Sequence, residues 1–504
     1  MKVLSSKQIK EADMFTIQEE PISAIDLMER ASLACFKWIS EHINQTITFH
    51  VFCGAGNNGG DGLCIARLLH QHNYTVVVYT TTELTEKTSD CYATNYTRLK
   101  TLKNITIKPI NSSADIPIIA SSDCIIDALF GIGLNKNITG IQALLVESIN
   151  HTQATIIAID IPSGLLADES SVQVSSIIVK ATYTLSFEQY KLAFLMAENG
   201  DYLGQVVILS IGLHPDYLKN CNSPYEIVEA YQIKGLIKPR NSFSHKGNNG
   251  HVLIMAGSYG KVGAAVIASK ASLRSGAGLV SIYAPKCAYN ILQTTIPEAM
   301  VITDKNEKYI STIPDLNPYT SIGIGPGIGT GEKTANALHE IIMTCKKPMV
   351  IDADAINILA KHKKWLENII PGTIFTPHPK EFERLVGQSK NNFERLALQL
   401  DFCKRYGVYI ILKGKFTCIT TPEGMSYFNP TGNAGMAKGG SGDMLTGMLA
   451  ALLAQGYSAK DTCIIGTYLH GLAADIAVKK TGEHALLASD CINHIGKAFI
   501  KIVG

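Results

Sequence analysis

Short apolar runs rich in β-branched residues recur through the first half of the chain at 47–53, 75–80, 124–130, 155–161, 181–187 and 205–211. They alternate with stretches of helical periodicity, and that alternation predicts parallel α/β structure. The stretch 23–42 has apolar residues at helical spacing behind Ser23, which suits an N-cap, so it predicts an amphipathic packing helix ahead of the first strand. A polar, turn-rich segment at 212–224 precedes a new start, which places a domain boundary near residue 225 and gives domains 1–224 and 225–504. The second half opens with a glycine-rich region around a strand at 250–263 and repeats the alternation at 348–352, 373–377 and 408–413. It ends in helical sequence from about Gly442. Both halves predict doubly wound sheets, whose ligands bind beyond the carboxyl ends of the strands.

A length of 504 residues agrees with two domains, with three as the alternative. With 46% hydrophobic and 17% charged residues, and 42 glycines beside 18 prolines, the composition is globular with a glycine excess and excludes disorder and collagen-like structure. The 45 basic residues nearly cancel the 43 acidic ones, so no global field gathers nucleic acid or anionic membrane, and an anionic ligand must be held locally. The 12 cysteines show no C-x-x-C pair or dense block, which argues for buried thiols rather than a zinc module or disulfide framework. The N-terminus lacks the apolar core of a signal peptide and no apolar run is long enough to span a membrane, so a cytoplasmic protein is expected.

Run 47–53 leads into Gly54-Ala55-Gly56-Asn57-Asn58-Gly59-Gly60-Asp61-Gly62, followed by a helix expected over 63–70. Gly54, Gly56 and Gly59 satisfy G-x-G-x-x-G, which suits phosphate at a helix N-terminus, although Glu83 is only a loose match for the acidic ribose partner such a site wants. The alternative is a tight strand-to-helix turn without a ligand. Two asparagines and an aspartate in that turn are costly to pack without partners. Asp127, Asp160 and Ser163 lie at two other strand ends. Asn58, Asp127 and Ser163 together offer hard oxygen ligands, suited to an alkali or alkaline-earth ion rather than zinc. Taken singly, each is an ordinary cap or turn residue.

In the second half, Gly439, Gly440 and Gly442 can turn their amides into an anion nest at the start of a helix, with Asp443 inside it. A carboxylate there repels a phosphate, yet it makes sense as a base that takes a proton from a hydroxyl while the amides hold the phosphoryl group. The competing reading is an acidic residue that favours the helix dipole. Lys413-Gly414-Lys415-Phe416-Thr417 follows a β-run and either meets nucleotide phosphates or forms an exposed turn. The run 323–331 is a further anion-facing turn, but not a Walker loop, because Glu332 separates Gly331 from Lys333. Asp352 and Asp354 sit at one strand end, and His378, between two prolines, follows another.

With these motifs assembled, the chain resembles the bifunctional NAD(P)H-hydrate repair enzymes, which join an NAD(P)HX epimerase to an ADP- or ATP-dependent NAD(P)HX dehydratase. GAGNNGGDG, DALFGIGL and IDIPSG resemble the epimerase motifs. HKGNNGHVLIMAGSYGKVGAA, RSGAGLV, GIGPGIG, IDADAIN, TPHPKEF, LKGKFT and NPTGNAGMAKGGSGDMLTG resemble those of the dehydratase. The resemblance implies a Rossmann-like three-layer sandwich followed by a ribokinase-like α/β/α domain. It implies that hydrated nucleotide is held in the first half by Asn57, Asn58, Gly59, Gly60, Asp61, Gly131, Ile132, Gly133, Leu134, Asn135, Lys136, Asn137 and Asp160. Asn58, Asp127 and Ser163 would ligate K+, and Asp160 would be the acid/base group. In the second half Gly263, Ala264, Gly327, His378 and Asp443 would face substrate, with Asp443 the catalytic base. Lys413, Gly414, Lys415, Phe416, Thr417 and Gly442 would hold ADP, with ATP as the other donor and Mg2+ accompanying the nucleotide. The expected partners are the small-molecule substrates NADHX and NADPHX, with neither nucleic acid nor membrane, and a homo-oligomer is expected.

Two other readings share these residues. A ribokinase-type vitamin or sugar kinase fused to a nucleotide-binding domain would use the same GGSGD anion hole and base. A nucleotide sensor without chemistry would bind in the first half and turn nothing over.

Overall fold

The first strand, β1 (Thr48–Cys53), is buried along nearly its whole length, as a strand covered on both faces must be. The computed structural model to which it belongs describes residues 1–81, 88–171, 177–347 and 349–504, so Glu83 and Pro348 lie outside the described residues. The chain forms two compact units. One comprises 2–223 with 391–393, and the other Met1 with 224–390 and 394–504.

In the first unit, β1 is followed by β2 (Thr75–Thr80), β3 (Thr106–Pro109), β4 (Cys124–Ala128), β5 (Thr155–Ile159), β6 (Tyr183–Phe187) and β7 (Gln205–Leu209). They make one parallel sheet in the order β3-β2-β1-β4-β5-β6-β7. The order reverses beside β1, which opens a crevice at the carboxyl ends of β1 and β4. Pleating divides the core: Phe49 and Val51 face one cluster and Phe52 the other. The helix Ala24–His42 lies where its periodicity predicts, and the Ser23 hydroxyl accepts the Asp26 N–H at 3.2 Å. A further helix, Ser6–Glu19, precedes it; its weak apolar pattern did not announce it.

Several boundaries differ from the sequence expectation by a residue or more, and two of them have a clear local reason. The helix after β1 spans Asn57–Gln71, not 63–70, so the asparagines and Asp61 belong to its opening turns. A Cβ on Gly59 would lie 1.8 Å from the Gly54 carbonyl oxygen, and one on Gly62 would lie 2.6 Å from the Ala128 Cβ. Only glycine lets the helix start this close to the sheet. Strand β5 ends at Ile159 rather than at 161, because Asp160 takes the left-handed φ of 68° and turns the chain out of the sheet.

The second unit opens with β8 (Tyr225–Ile227), then β9 (His251–Met255), β10 (Leu279–Ala284), β11 (Met300–Thr303), β12 (Ser321–Ile324), β13 (Met349–Ile351), β14 (Ile374–Phe375), β15 (Tyr409–Leu412), β16 (Cys418–Thr420) and β17 (Ser426–Phe428). Their order is β11-β10-β9-β12-β13-β14-β15-β16-β17-β8, with only β16 antiparallel to its neighbours. Alternate residues of β9 supply the two cores, Val252 and Ile254 on one face, Leu253 and Met255 on the other. The helix Ser441–Ala454 is buried on nearly every side, so its apolar sequence shows little polarity of face. Among the described residues, no helix is long and apolar enough to cross a membrane.

Candidate active sites

The crevice of the first unit is a cavity of about 660 Å³. Asn57, Asn58 and Asp61 reach it from the helix after β1, Gly131 to Lys136 from the loop after β4, and Asp160 from the end of β5. Gly59, Gly60 and Asn137 do not line it. Gly59 backs onto Gly54, and a Cβ on Gly60 would meet the Met28 sulfur at 2.9 Å, so these two glycines serve the approach of helix to sheet.

Asp160 is the most engaged group of the cavity. Its carboxylate accepts the Ile132 N–H at 3.2 Å and pairs with the Lys191 ammonium at 2.6 Å. Lys191 is fully buried and also donates to the Ser186 hydroxyl. A left-handed backbone at a non-glycine residue stores strain of the kind that clusters at functional sites. Gly131 is small of necessity, since its Cβ would crowd Asp160 Oδ2 at 3.1 Å and the Asn58 Cβ at 3.2 Å.

Asp127 and Ser163 are joined behind this cavity. The Ser163 hydroxyl donates to Asp127 Oδ1 at 2.6 Å, its N–H donates to Oδ2 at 2.8 Å, and the Phe130 N–H donates to the hydroxyl at 2.9 Å. Burial pushes the Asp127 carboxyl up to about 6, against the pull of the Ser163 hydrogen bonds. Asn58 is buried, yet among the described residues neither polar atom of its side-chain amide has a partner. A buried amide with its oxygen uncommitted, a buried carboxylate and a serine hydroxyl are oxygen donors of the kind a monovalent ion takes. Among the described residues, no three His, Cys, Asp or Glu side chains gather as a metal site, so the set depends on the amide and hydroxyl oxygens.

In the second unit, Gly440 adopts φ of 95° and caps the helix Ser441–Ala454, whose first turn carries Gly442 and Asp443. The Lys413 ammonium, at the end of β15, lies 3.1 Å from Asp352 Oδ1, and the Thr446 hydroxyl donates to Asp352 Oδ2 at 2.9 Å. A Cβ on Gly442 would stand 3.2 Å from the Lys413 Nζ, so glycine lets the helix start against this pair. Burial opposes ionisation of Asp352, but the Lys413 charge and hydrogen bonds hold its carboxyl below the usual range. Asp443 goes the other way: burial, then the Asp352 charge, pushes it up to about 6. Two carboxylates at one helix start therefore differ, one held as an ion pair and one poised to exchange a proton near neutrality.

Asp354 gathers the remaining loops. It accepts the Gly329 N–H at 2.8 Å and pairs with Lys261 at 3.6 Å, and the Gly327 position abuts Ala264. Gly327, Gly263 and Ala264 thus meet at one end of the sheet, where the charge of Asp354 also reaches Asp443. His378 caps the helix Pro379–Val386: its Nδ1 accepts the Lys380 N–H at 3.2 Å and the Glu381 N–H at 3.3 Å. Burial and Lys413 lower its proton affinity, so the ring serves as a neutral group. Gly414 and Thr417 close a turn, in which the Gly414 N–H donates to the Thr417 hydroxyl at 3.3 Å; Lys415 is exposed and lies over the Phe416 ring.

Three participants were not singled out from the sequence. Lys191 carries a weak signal, a lysine directly before the apolar run Leu192-Ala193-Phe194. His470 lies in an otherwise apolar stretch of the helix Ala459–Thr481; its Nε2 donates to the Ser441 carbonyl at 3.0 Å, and burial lowers its pKa to about 4. Asp13, on the helix Ser6–Glu19, lines the first cavity with nothing local in the sequence to mark it.

Comparison with known proteins places both sites in one context. Residues 252–497 match the family model described as NAD(P)H-hydrate dehydratase, and residues 24–193 match the one described as YjeF-related protein N-terminus. The bifunctional NAD(P)H-hydrate repair enzyme of Coxiella burnetii is 33% identical over 97% of this chain and 98% of its own. Its namesake from Moorella thermoacetica is 30% identical over 98% of this chain and 96% of its own. A ribokinase-like superfamily protein from Enterococcus faecalis matches with a TM-score of 0.50 and 26% identity, over 56% of this chain and 98% of that one. The second unit is accordingly ribokinase-like.

Proposed function

Because the chain belongs to the family of bifunctional NAD(P)H-hydrate repair enzymes, we propose that residues 1–224 epimerise hydrated NADH and NADPH and that residues 225–504 dehydrate one epimer, using ADP as phosphoryl donor. The observation that carries this is Asp443, a half-buried carboxyl raised to about 6, at the N-terminus of a 14-residue helix beside Lys413.

In the dehydratase, Gly263, Ala264, Gly327 and His378 hold the hydrated ring, and Asp443 takes the proton from the hydroxyl that hydration introduced. The freed N–H groups at Gly440 to Gly442 and the Lys413 ammonium stabilise the phosphoryl group that the hydroxyl attacks. Phosphate then leaves with the C–O bonding pair, and the adjacent ring carbon gives up a proton, which the departing phosphate or solvent takes, restoring the double bond of the dihydronicotinamide. Lys413 to Thr417 and Gly442 hold the adenine nucleotide, and Mg2+ accompanies it as it does other nucleoside polyphosphates.

In the epimerase, Asn57, Asn58, Asp61 and the 131–137 loop bind the hydrated nucleotide, and Asp160 is the acid/base group at the reacting centre. Asn58, Asp127 and Ser163 would hold K+, which would supply a fixed positive charge to the site. The Lys191 ammonium, 2.6 Å from Asp160 Oδ1, orients that carboxylate.

The test is absorbance at 340 nm with a mixture of both NADHX epimers, first with ADP and then with ATP. Recovery of NADH from both epimers with one nucleotide establishes both activities and names the donor. Recovery from half of the mixture leaves the first unit without its proposed activity, and no recovery with either nucleotide overturns the proposal in favour of a kinase.

A further inference from the structure

The epimerase cavity contains more carboxyl groups than one acid/base residue accounts for. Asp13, Asp61 and Asp160 all line it. Among the described residues, the fully buried ammonium nearby, Lys191, is committed to Asp160 at 2.6 Å and to Ser186. Asp61 is enclosed near the Ser32 hydroxyl, and burial, then the charges of Asp160 and Asp13, raise it far above the usual carboxylate range. Asp13 is different, because it is half-buried and open to the cavity. It projects from the helix Ser6–Glu19 on the face shared by Ile9 and Ile17, which also line the cavity. Burial, then the Asp160 charge, pushes its carboxyl up to about 7, with Lys191 pulling the other way. The helix that carries it lies ahead of residues 24–193, the span matched by the first family model.

We propose that Asp13 is the second catalytic carboxyl of the epimerase, the partner that gives a proton to the departing hydroxyl while Asp160 works from the opposite side of the ring. This rests on the epimerase reading above. Hydration of an enamine double bond leaves a hydroxyl on the carbon bonded to the ring nitrogen. The C–O bond breaks as the Asp13 carboxyl protonates the oxygen, and water leaves while the nitrogen lone pair forms an iminium. Water then adds to the other face: a C–O bond forms, the electron pair returns to nitrogen, and the surplus proton passes to the Asp160 carboxylate. Each turnover moves one proton from Asp13 to Asp160, and the reverse epimerisation moves it back. Two carboxyl groups that share one proton are what such a reversible inversion requires. Among the described residues, the charged groups acting on Asp13 are Asp160, Lys191 and Asp61, and the cavity is also lined by Lys10 on its own helix, by Lys136 from the loop after β4 and by Cys91.

The experiment follows a single NADHX epimer by chromatography with full-length protein, in ordinary water and in H2¹⁸O, across pH. Wild-type protein is expected to incorporate one solvent oxygen per inversion, and its rate to fall as pH rises past about 7, where Asp13 loses its proton. Asp13→Asn is expected to slow inversion about 100-fold or more and to abolish that alkaline limb, with dehydration of the preferred epimer unchanged as the check on folding. Asp13→Glu, which keeps a carboxyl, is expected to restore much of the rate with a displaced limb. Asp13→Asn within threefold of wild type, or inversion without solvent oxygen, overturns the role of Asp13 and leaves the epimerase reading standing. If wild-type protein interconverts nothing, both fall.

Discussion

Lys191 Nζ lies 2.6 Å from Asp160 Oδ1, with the lysine fully buried and the carboxylate mostly so. A pair of this kind contributes little net stability over an apolar substitute, but removing one partner alone leaves a charge in a low-dielectric site. Lys191→Met is therefore expected to destabilise the protein by about 3–5 kcal/mol and to stop epimerisation. Denaturant unfolding, with epimerisation measured under native conditions, checks both. A variant of unchanged stability would mean that water already reaches Asp160.

Asp443→Asn should lower dehydration about 100-fold, the usual worth of a general base, while epimerisation continues. The carboxylate is the working form and its pKa is raised to about 6, so wild-type kcat/KM for dehydration should fall as pH drops through 6. The variant should lack that acid limb. A pH profile of kcat/KM measured with the preferred epimer decides the point.

Asn58, Asp127 and Ser163 make a prediction that can be read without activity. K+ should raise the thermal unfolding temperature of the wild type relative to a bulky organic cation, by mass action on the folded state. Asp127→Asn should lose that response. Because the Asp127 carboxyl is raised to about 6, protons compete with the cation, and the K+ response should fade below that pH.

His470 has a folded pKa of about 4, against an ordinary value of 6.5. The unfolded chain thus binds a proton at a pH where the folded protein does not. The stability contributed by neutral His470 is fully present above 6.5 and is lost as pH falls from 6.5 to about 4, at a cost of up to about 3 kcal/mol. His470→Gln should be less stable near neutrality and should show a flatter decline in that window. Urea unfolding of both proteins at several pH values makes the comparison.

Much of the chemistry could be read along the chain because it is local. The Asn58, Asp160, Asp352 and Asp443 positions stand directly after apolar runs or glycine turns, where backbone geometry alone puts polar groups at strand ends and helix starts. The helix start at Asn57 was misplaced for an equally physical reason. Glycines depress helix propensity, and what makes them helical here is a sheet that leaves no room for a Cβ at Gly59 or Gly62.

The sequence by itself determined the α/β alternation, the restart of the pattern near residue 225, and the glycine-rich turns with their carboxylates, since hydrophobic period and turn chemistry depend on near neighbours. Tertiary structure decided which charges meet. Lys191 reaches Asp160 across 31 positions, Lys413 reaches Asp352 across 61, and Asp13 shares a cavity with both Asp61 and Asp160. Those encounters follow from strand order in the two sheets, and they divide the carboxyl groups into those held as ion pairs and those left able to carry a proton. Proton affinity depends on burial and on the nearest charge in space, which no local pattern in the chain encodes.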